Sequence, residues 1–226
     1  ILEIAALVLQ EQPAALDIVD SQVVSVDTRQ PRLAVAEIAR IAYFRSDTLP
    51  PGTQAQLTVS HHFAPQGYPF AFTNGIQGCY IEVDVETGFV KLLKHYVVED
   101  CGRIINPMLV DEQLRGGVVQ GLGAALFEEC RYGDTGQLLN GSLADYLVPM
   151  AMEMPDIIID HVETPTADTI LGAKGCGEAG CAGSMASVIN AVIDALSDYG
   201  VTHLDMPLTT EKLWRAIQDG KAKTAA

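Results

Sequence analysis

The stretch ILGAKGCGEAGCAGS, residues 170–184, sets five glycines and two cysteines around a single carboxylate, Glu178, with Lys174 as the one other charge. Ordering glycine costs more backbone entropy than ordering any other residue. A glycine density of this kind in a folded chain therefore marks close approach of the backbone to something. The run leads into an apolar pattern at helical spacing, Met185, Val188, Ile189, Val192, Ile193 and Leu196, which predicts a helix starting near Ser184. Backbone N–H groups of a glycine loop at a helix N-terminus suit an anionic or oxo-bearing ligand. A carboxylate there has two physical fates. It caps the helix or pairs with Lys174, or, held in a dry pocket, it accepts a proton from a reacting group. The residues alone leave both open.

Other candidate chemistry is weaker. GLGAAL, residues 121–126, resembles part of a dinucleotide fingerprint, but it lacks the full glycine pattern and sits inside a helical pattern rather than after a strand. The five cysteines (79, 101, 130, 176 and 181) are odd in number and irregularly spaced, which fits neither a disulfide framework nor a paired C-x2-C zinc site. They read as reduced structural thiols of a reducing compartment. The formal charge of −15, from 14 Lys and Arg against 29 Asp and Glu, comes without any basic cluster. Nucleic acid and anionic membrane surfaces are poor partners for such a chain, and no apolar run is long enough for a membrane span.

The elements that must position the loop are legible in outline. The chain is 48% hydrophobic over 226 residues, enough for a substantial core, with disorder expected only in the tail KAKTAA. The opening residues ILEIAALVL have a helical apolar face; a helix reaching the first residue predicts a piece of a longer polypeptide or a split subunit. A short strand pair around DIVDSQVVSV and a helix over RLAVAEIARIAY follow. Ile81, Val83 and Val85 alternate with Glu82, Asp84 and Glu86 before Thr87-Gly88, and residues 90–98 return: an antiparallel hairpin. Residues 108–129 predict a helix, with Gly116, Gly117, Gly121 and Gly123 inside it. Each costs roughly 1 kcal/mol against alanine, so together they imply tight packing or a ligand at that surface. DIIIDHVET is a strand candidate, and a last helix over 211–219 is expected to stop at Gly220. Strand pairs mixed with helices give an α+β fold with mixed or antiparallel sheets and packed helices.

Four segments carry a resemblance to a known family: GCYIEVDVETGFVKLLKHYVVEDCGRIINPMLVDEQLRGGVVQGLGAALFEE, GSLADYLVPMAMEMPDI, GAKGCGEAGCAGSMASVINAVIDAL and MPLTTEKLWRAI. In this order they resemble the C-terminal part of the molybdenum-binding subunit of molybdenum hydroxylases: xanthine dehydrogenases, aldehyde oxidoreductases and the aerobic carbon monoxide dehydrogenase. The bacterial three-component enzymes are the nearest in flavour. The resemblance implies that Glu178 is the catalytic base beside molybdenum, and that Gln113 in EQLRGG lies near the pterin, although Glu112 replaces the usual glycine. It also implies that Lys174, Gly175, Cys176 and Gly177 form the cofactor loop, and that Cys101 and Asn106 in CGRIINP shape the site. No residue of this chain is expected to ligate the metal itself.

The same resemblance implies water-dependent oxidative hydroxylation of an aldehyde or N-heterocycle, on molybdenum-molybdopterin in its cytosine dinucleotide form. Fe–S clusters and FAD would sit in partner subunits, since no motif for either occurs here. The family's upstream glycine loops are missing from these residues, so a polypeptide carrying the N-terminal half of the molybdenum subunit is an expected partner. Residues 1–55 would then end a first lobe and residues 56–226 form the C-terminal molybdopterin-binding lobe, in a bacterial cytoplasmic assembly. Two other classes compete with the enzyme: a non-catalytic structural subunit completing a partner's domain, and a free-standing small-molecule binding module.

Overall fold

The computed structural model describes residues 1–65, 67 and 70–224 and divides into two compact units, Ile1–Ala64 and Pro65–Ala226. The first contains α1 (Leu2–Leu9), the antiparallel strands β1 (Leu16–Val19), β2 (Gln22–Ser25) and β3 (Pro31–Ala34), and α2 (Val35–Phe44). Its core gathers Ile4, Ala5, Leu16, Val23, Ile38 and Ile41. Leu7 and Val8 of the opening apolar pattern stay exposed. The expected helix over RLAVAEIARIAY begins three residues late, at Val35, because Pro31–Ala34 pairs with β2.

The second unit carries β4 (Asn74–Val83), β5 (Val90–Asp100), α3 (Pro107–Leu126), β6 (Asp156–His161), α4 (Ala179–Ala195) and α5 (Thr210–Thr224). β4 and β5 form the expected hairpin, and β6 adds to β5 in parallel. Parallel pairing requires a crossover, and α3 supplies it. The mixed sheet and its helices confirm the α+β class. Val97 and Ile157 from the sheet, Val118, Leu122 and Leu126 from α3, Val188 and Val192 from α4, and Leu213 and Ile217 from α5 form one core.

The α3 glycines divide by environment. Gly117 faces the backbone of Gly180 and Cys181, Gly121 faces Ser184, and Gly123 faces Pro149, whereas Gly116 has open space beside it. Three of the four therefore serve packing, two of them against α4. α5 runs through Gly220 rather than stopping there and takes residues 221–224 of the expected disordered tail with it. Gly220 is buried against Tyr199, where the lack of a Cβ allows contact with that backbone. Ala225 and Ala226 lie outside the described residues.

His95 on β5 is fully buried, and burial pushes its pKa down to about 4. In the unfolded chain the ring protonates near its ordinary value, about 6.5, while the folded ring stays neutral. Its contribution to stability is therefore complete above that value and is lost as pH falls toward 4. Between pH 7 and pH 5 the Tm should fall by several degrees more in the wild-type protein than in His95→Leu, measured by calorimetry.

Candidate active site

The end of β5 fixes the glycine loop. Asp100 accepts from the amides of Gly102 (2.9 Å) and Thr164 (3.0 Å), from the Thr164 hydroxyl, and from Lys174 Nζ at 3.1 Å. Thr164 first, then Gly102 and Lys174, hold its carboxyl well below the usual carboxylate range. The Lys174 amide donates to the Cys101 carbonyl (2.8 Å), and Arg103 donates to Gly172 O (3.0 Å). Gly102 and Gly172 both adopt left-handed backbone, φ +68° and +75°, a region that glycine enters without penalty. These contacts turn the chain from β6 back across the end of β5 and aim residues 175–178 at the start of α4.

Lys174 is thus committed to Asp100 and Thr164 (2.6 Å), its side chain only 11% exposed. It makes no pair with Glu178. Nor does Glu178 cap α4: it occupies the N-cap position, but its side chain makes no capping hydrogen bond. Both structural fates open to that carboxylate from sequence are therefore excluded, and it stands exposed with no partner among the described residues.

Around it lies a hollow of about 340 Å³, lined by Phe72, Thr73, Cys176, Gly177, Glu178 and Ala182. A Cβ added at Gly175 or Gly177 would meet nothing within 4 Å. Among the described residues, the backbone amides of residues 175–178 donate to no backbone acceptor. A cradle of small residues with unspent donors at a helix N-terminus fits an anionic, oxygen-rich group such as a pterin phosphate. What the loop offers is amides and one carboxylate rather than a set of metal ligands.

Two amide side chains hold the loop. Gln113 on α3 donates to Gly177 O at 2.7 Å, so the sequence-predicted residue and the loop do meet. Gln77 on β4 donates to Ala179 O (3.2 Å) and Gly180 O (3.0 Å). Cys176 and Cys101 come together, and burial pushes the Cys176 thiol up to about 11 and the Cys101 thiol up as well. Both remain protonated at neutral pH, so neither is a nucleophile there. Asn106 caps α3 by accepting from Leu109 N at 3.2 Å, a role legible in Asn106-Pro107 as cap and first helical residue. Thr73, Gln77, Asp100 and Thr164 were not singled out from sequence. Most of their partners are distant in the chain, from 18 residues for Gln77 and His95 to 103 for Gln77 and Gly180.

The sequence profile of the molybdopterin cofactor-binding domain matches residues 1–155. The nicotine 6-hydroxylase large subunit of Paenarthrobacter nicotinovorans is 39% identical over 215 residues, covering 95% of this chain and 26% of its own length. The carbon monoxide dehydrogenase large chain of Hydrogenophaga pseudoflava is 36% identical over 185 residues, 82% of this chain and 22% of its own. Among solved structures, quinoline 2-oxidoreductase from Pseudomonas putida 86 superposes with a TM-score of 0.76 at 36% identity, over 96% of this chain and 28% of that one. The chain thus spans about a quarter of the length of the relatives it matches.

Proposed function

We propose that this chain, which belongs to the molybdopterin cofactor-binding domain family of molybdenum hydroxylase large subunits, supplies the proton-accepting wall of a molybdenum hydroxylase active site. The observation that supports this most is the Glu178 carboxylate. It is neither cap nor ion-pair partner, and it stands over a hollow where Gly175 and Gly177 leave space for a ligand.

The net reaction inserts oxygen from water: substrate C–H plus H2O gives C–OH, two electrons and two protons. When bound, the cofactor supplies the two-electron oxidation and the Lewis acidity that makes water a nucleophile. The amides of residues 175–178 orient the cofactor's anionic groups, with Gln113 holding the loop through Gly177 O. Lys174 acts through Asp100 to set the direction of the loop, and Cys176 lines the hollow beside it. Glu178 takes the proton of the attacking water at a carboxylate oxygen, which requires hydrogen-bond reach to that oxygen. Large residues at 175 or 177 would hold the backbone away from the ligand.

An N-heterocycle is the favoured substrate class, because the nicotine and quinoline enzymes named above are among the most similar relatives; an aldehyde is the other candidate. The pterin would be in its cytosine dinucleotide form. Electrons would pass to Fe–S and FAD subunits, and a polypeptide with the N-terminal half of the molybdenum subunit would complete the pocket. In this reading residues 1–55 end the first lobe and 56–226 form the second, in a cytoplasmic enzyme. Among the described residues, no helix is long and apolar enough to cross a membrane.

Metal analysis of the purified assembly tests the reading. Stoichiometric molybdenum, with partner polypeptides co-purifying, is the expected result. A correctly associated assembly free of molybdenum would instead make this chain a structural subunit.

A further inference from the structure

Glu178 is bracketed by amide side chains from two different elements. Gln113 binds the carbonyl of the residue before it; Gln77 binds the carbonyls of the two residues after it. Only the first is a residue that sequence pointed to. Gln77 in turn lies 3.0 Å from His95 Nε2 through its Oε1, a diagonal neighbour on the inward face of the β4–β5 hairpin.

The orientation of this chain of contacts follows from what each group can do. The Ala179 and Gly180 carbonyls only accept, so the Gln77 amide must present its NH2 to them, one hydrogen for each. Its carbonyl oxygen then faces His95 and needs a donor. The single proton of the neutral imidazole is therefore on Nε2, and Nδ1 carries the lone pair. Nδ1 is buried with no hydrogen-bond partner among the described residues, which is the state an unpaired acceptor, rather than an unpaired donor, can best tolerate. Gly183 completes the fit: a Cβ there would press on Gln77 Cγ and Cδ at 3.0 Å. His95 is fully buried, so the relay is anchored in the sheet and ends at the first turn of α4.

We infer that Gln77, locked by His95, is a positioning residue that fixes the first turn of α4 and so holds the Glu178 carboxylate in its reactive place. The inference rests on the reading of Glu178 as the base. A carboxylate on a helix-initial residue moves with its own peptide, and a displacement of about 1 Å from productive geometry costs on the order of 100-fold in rate. Gln113 and Gln77 restrain that peptide from opposite sides in sequence, one on each flank.

A double-mutant cycle in the assembled holoenzyme tests this. Gln77→Met removes both donors at nearly constant volume. It should lower kcat by roughly 10- to 100-fold, with KM and molybdenum content unchanged. Hydrogen exchange should quicken at the amides of residues 182–184 while the C-terminal half of α4 stays protected. In a Glu178→Gln background the same substitution should change the residual kcat by less than about two-fold, because the group it positions is gone. His95→Leu, which leaves Gln77 unlocked but its donors present, should give a smaller loss of the same kind and serves if Gln77→Met does not fold. An equal fold-loss in both backgrounds, or a lowered Tm with unchanged kcat, overturns the inference. If Glu178→Gln alone keeps wild-type turnover, the reading of the base fails, and the inference with it; that result is visible before Gln77 is altered.

Discussion

Glu178→Gln in the assembled enzyme should lower turnover by about 10²- to 10⁴-fold, the range that one positioned general base contributes, while folding and molybdenum content stay near wild type. The substitution keeps side-chain length and shape and removes only the ability to accept the proton. Its structural cost should be small, because the carboxylate makes neither a capping bond nor an ion pair. Lys174, the nearby cation, has its charge satisfied by Asp100, so neutralising residue 178 strands no partner. That separation makes the variant informative: a loss of rate without a loss of Tm or metal belongs to the chemistry.

Gly180→Ala should have the second largest effect, through packing. A Cβ at this position would overlap the Leu114 carbonyl and press within 2.9 Å of Val118 N. Both are backbone atoms in the middle of α3, so they cannot turn aside as a flexible side chain would. The helices must separate, at a cost of about 1–3 kcal/mol or more for overpacking. The first turn of α4 then moves away from Gln77 and Gln113, and a loss of roughly 100-fold in turnover is expected even in the folded fraction. Gly175→Ala is the contrasting variant. Nothing lies within 4 Å of its new methyl group, so Tm should not change while molybdenum content falls. Thermal melts and metal analysis of the two variants check this, and equal Tm losses would contradict it.

These two glycines show where the sequence was legible and where it was not. Glycine density announces a close approach, but only the structure separates residues 117, 121 and 180, which let two helices touch, from 175 and 177, which face open space. The same packing explains why α4 was expected to start near Ser184 and instead starts at Ala179. Its first turn is Ala-Gly-Cys-Ala-Gly, small residues set against Gly117 that carry no apolar periodicity. The β4–β5 hairpin was legible because alternation and a turn signal are local. The parallel partner of β6 was not, since DIIIDH marks a strand without saying which edge it joins. The Asp100–Thr164–Lys174 cluster and the Gln77–His95 relay were invisible for the same reason: each joins residues far apart in the chain by contacts that only the fold creates. Glu178 and Gln113 are legible through family motifs, and the geometry adds that Gln113 touches the loop carrying Glu178.

The most direct measurement of the central claim is the single-turnover rate at which substrate reduces the enzyme, compared between wild type and Glu178→Gln at matched molybdenum content. This isolates the chemical step from product release and from electron transfer to partner subunits. A rate lower by about 10²-fold or more is expected in the variant, with substrate affinity little changed. A variant that is reduced at the wild-type rate would contradict it, and would leave Glu178 as a bystander on the rim of the hollow.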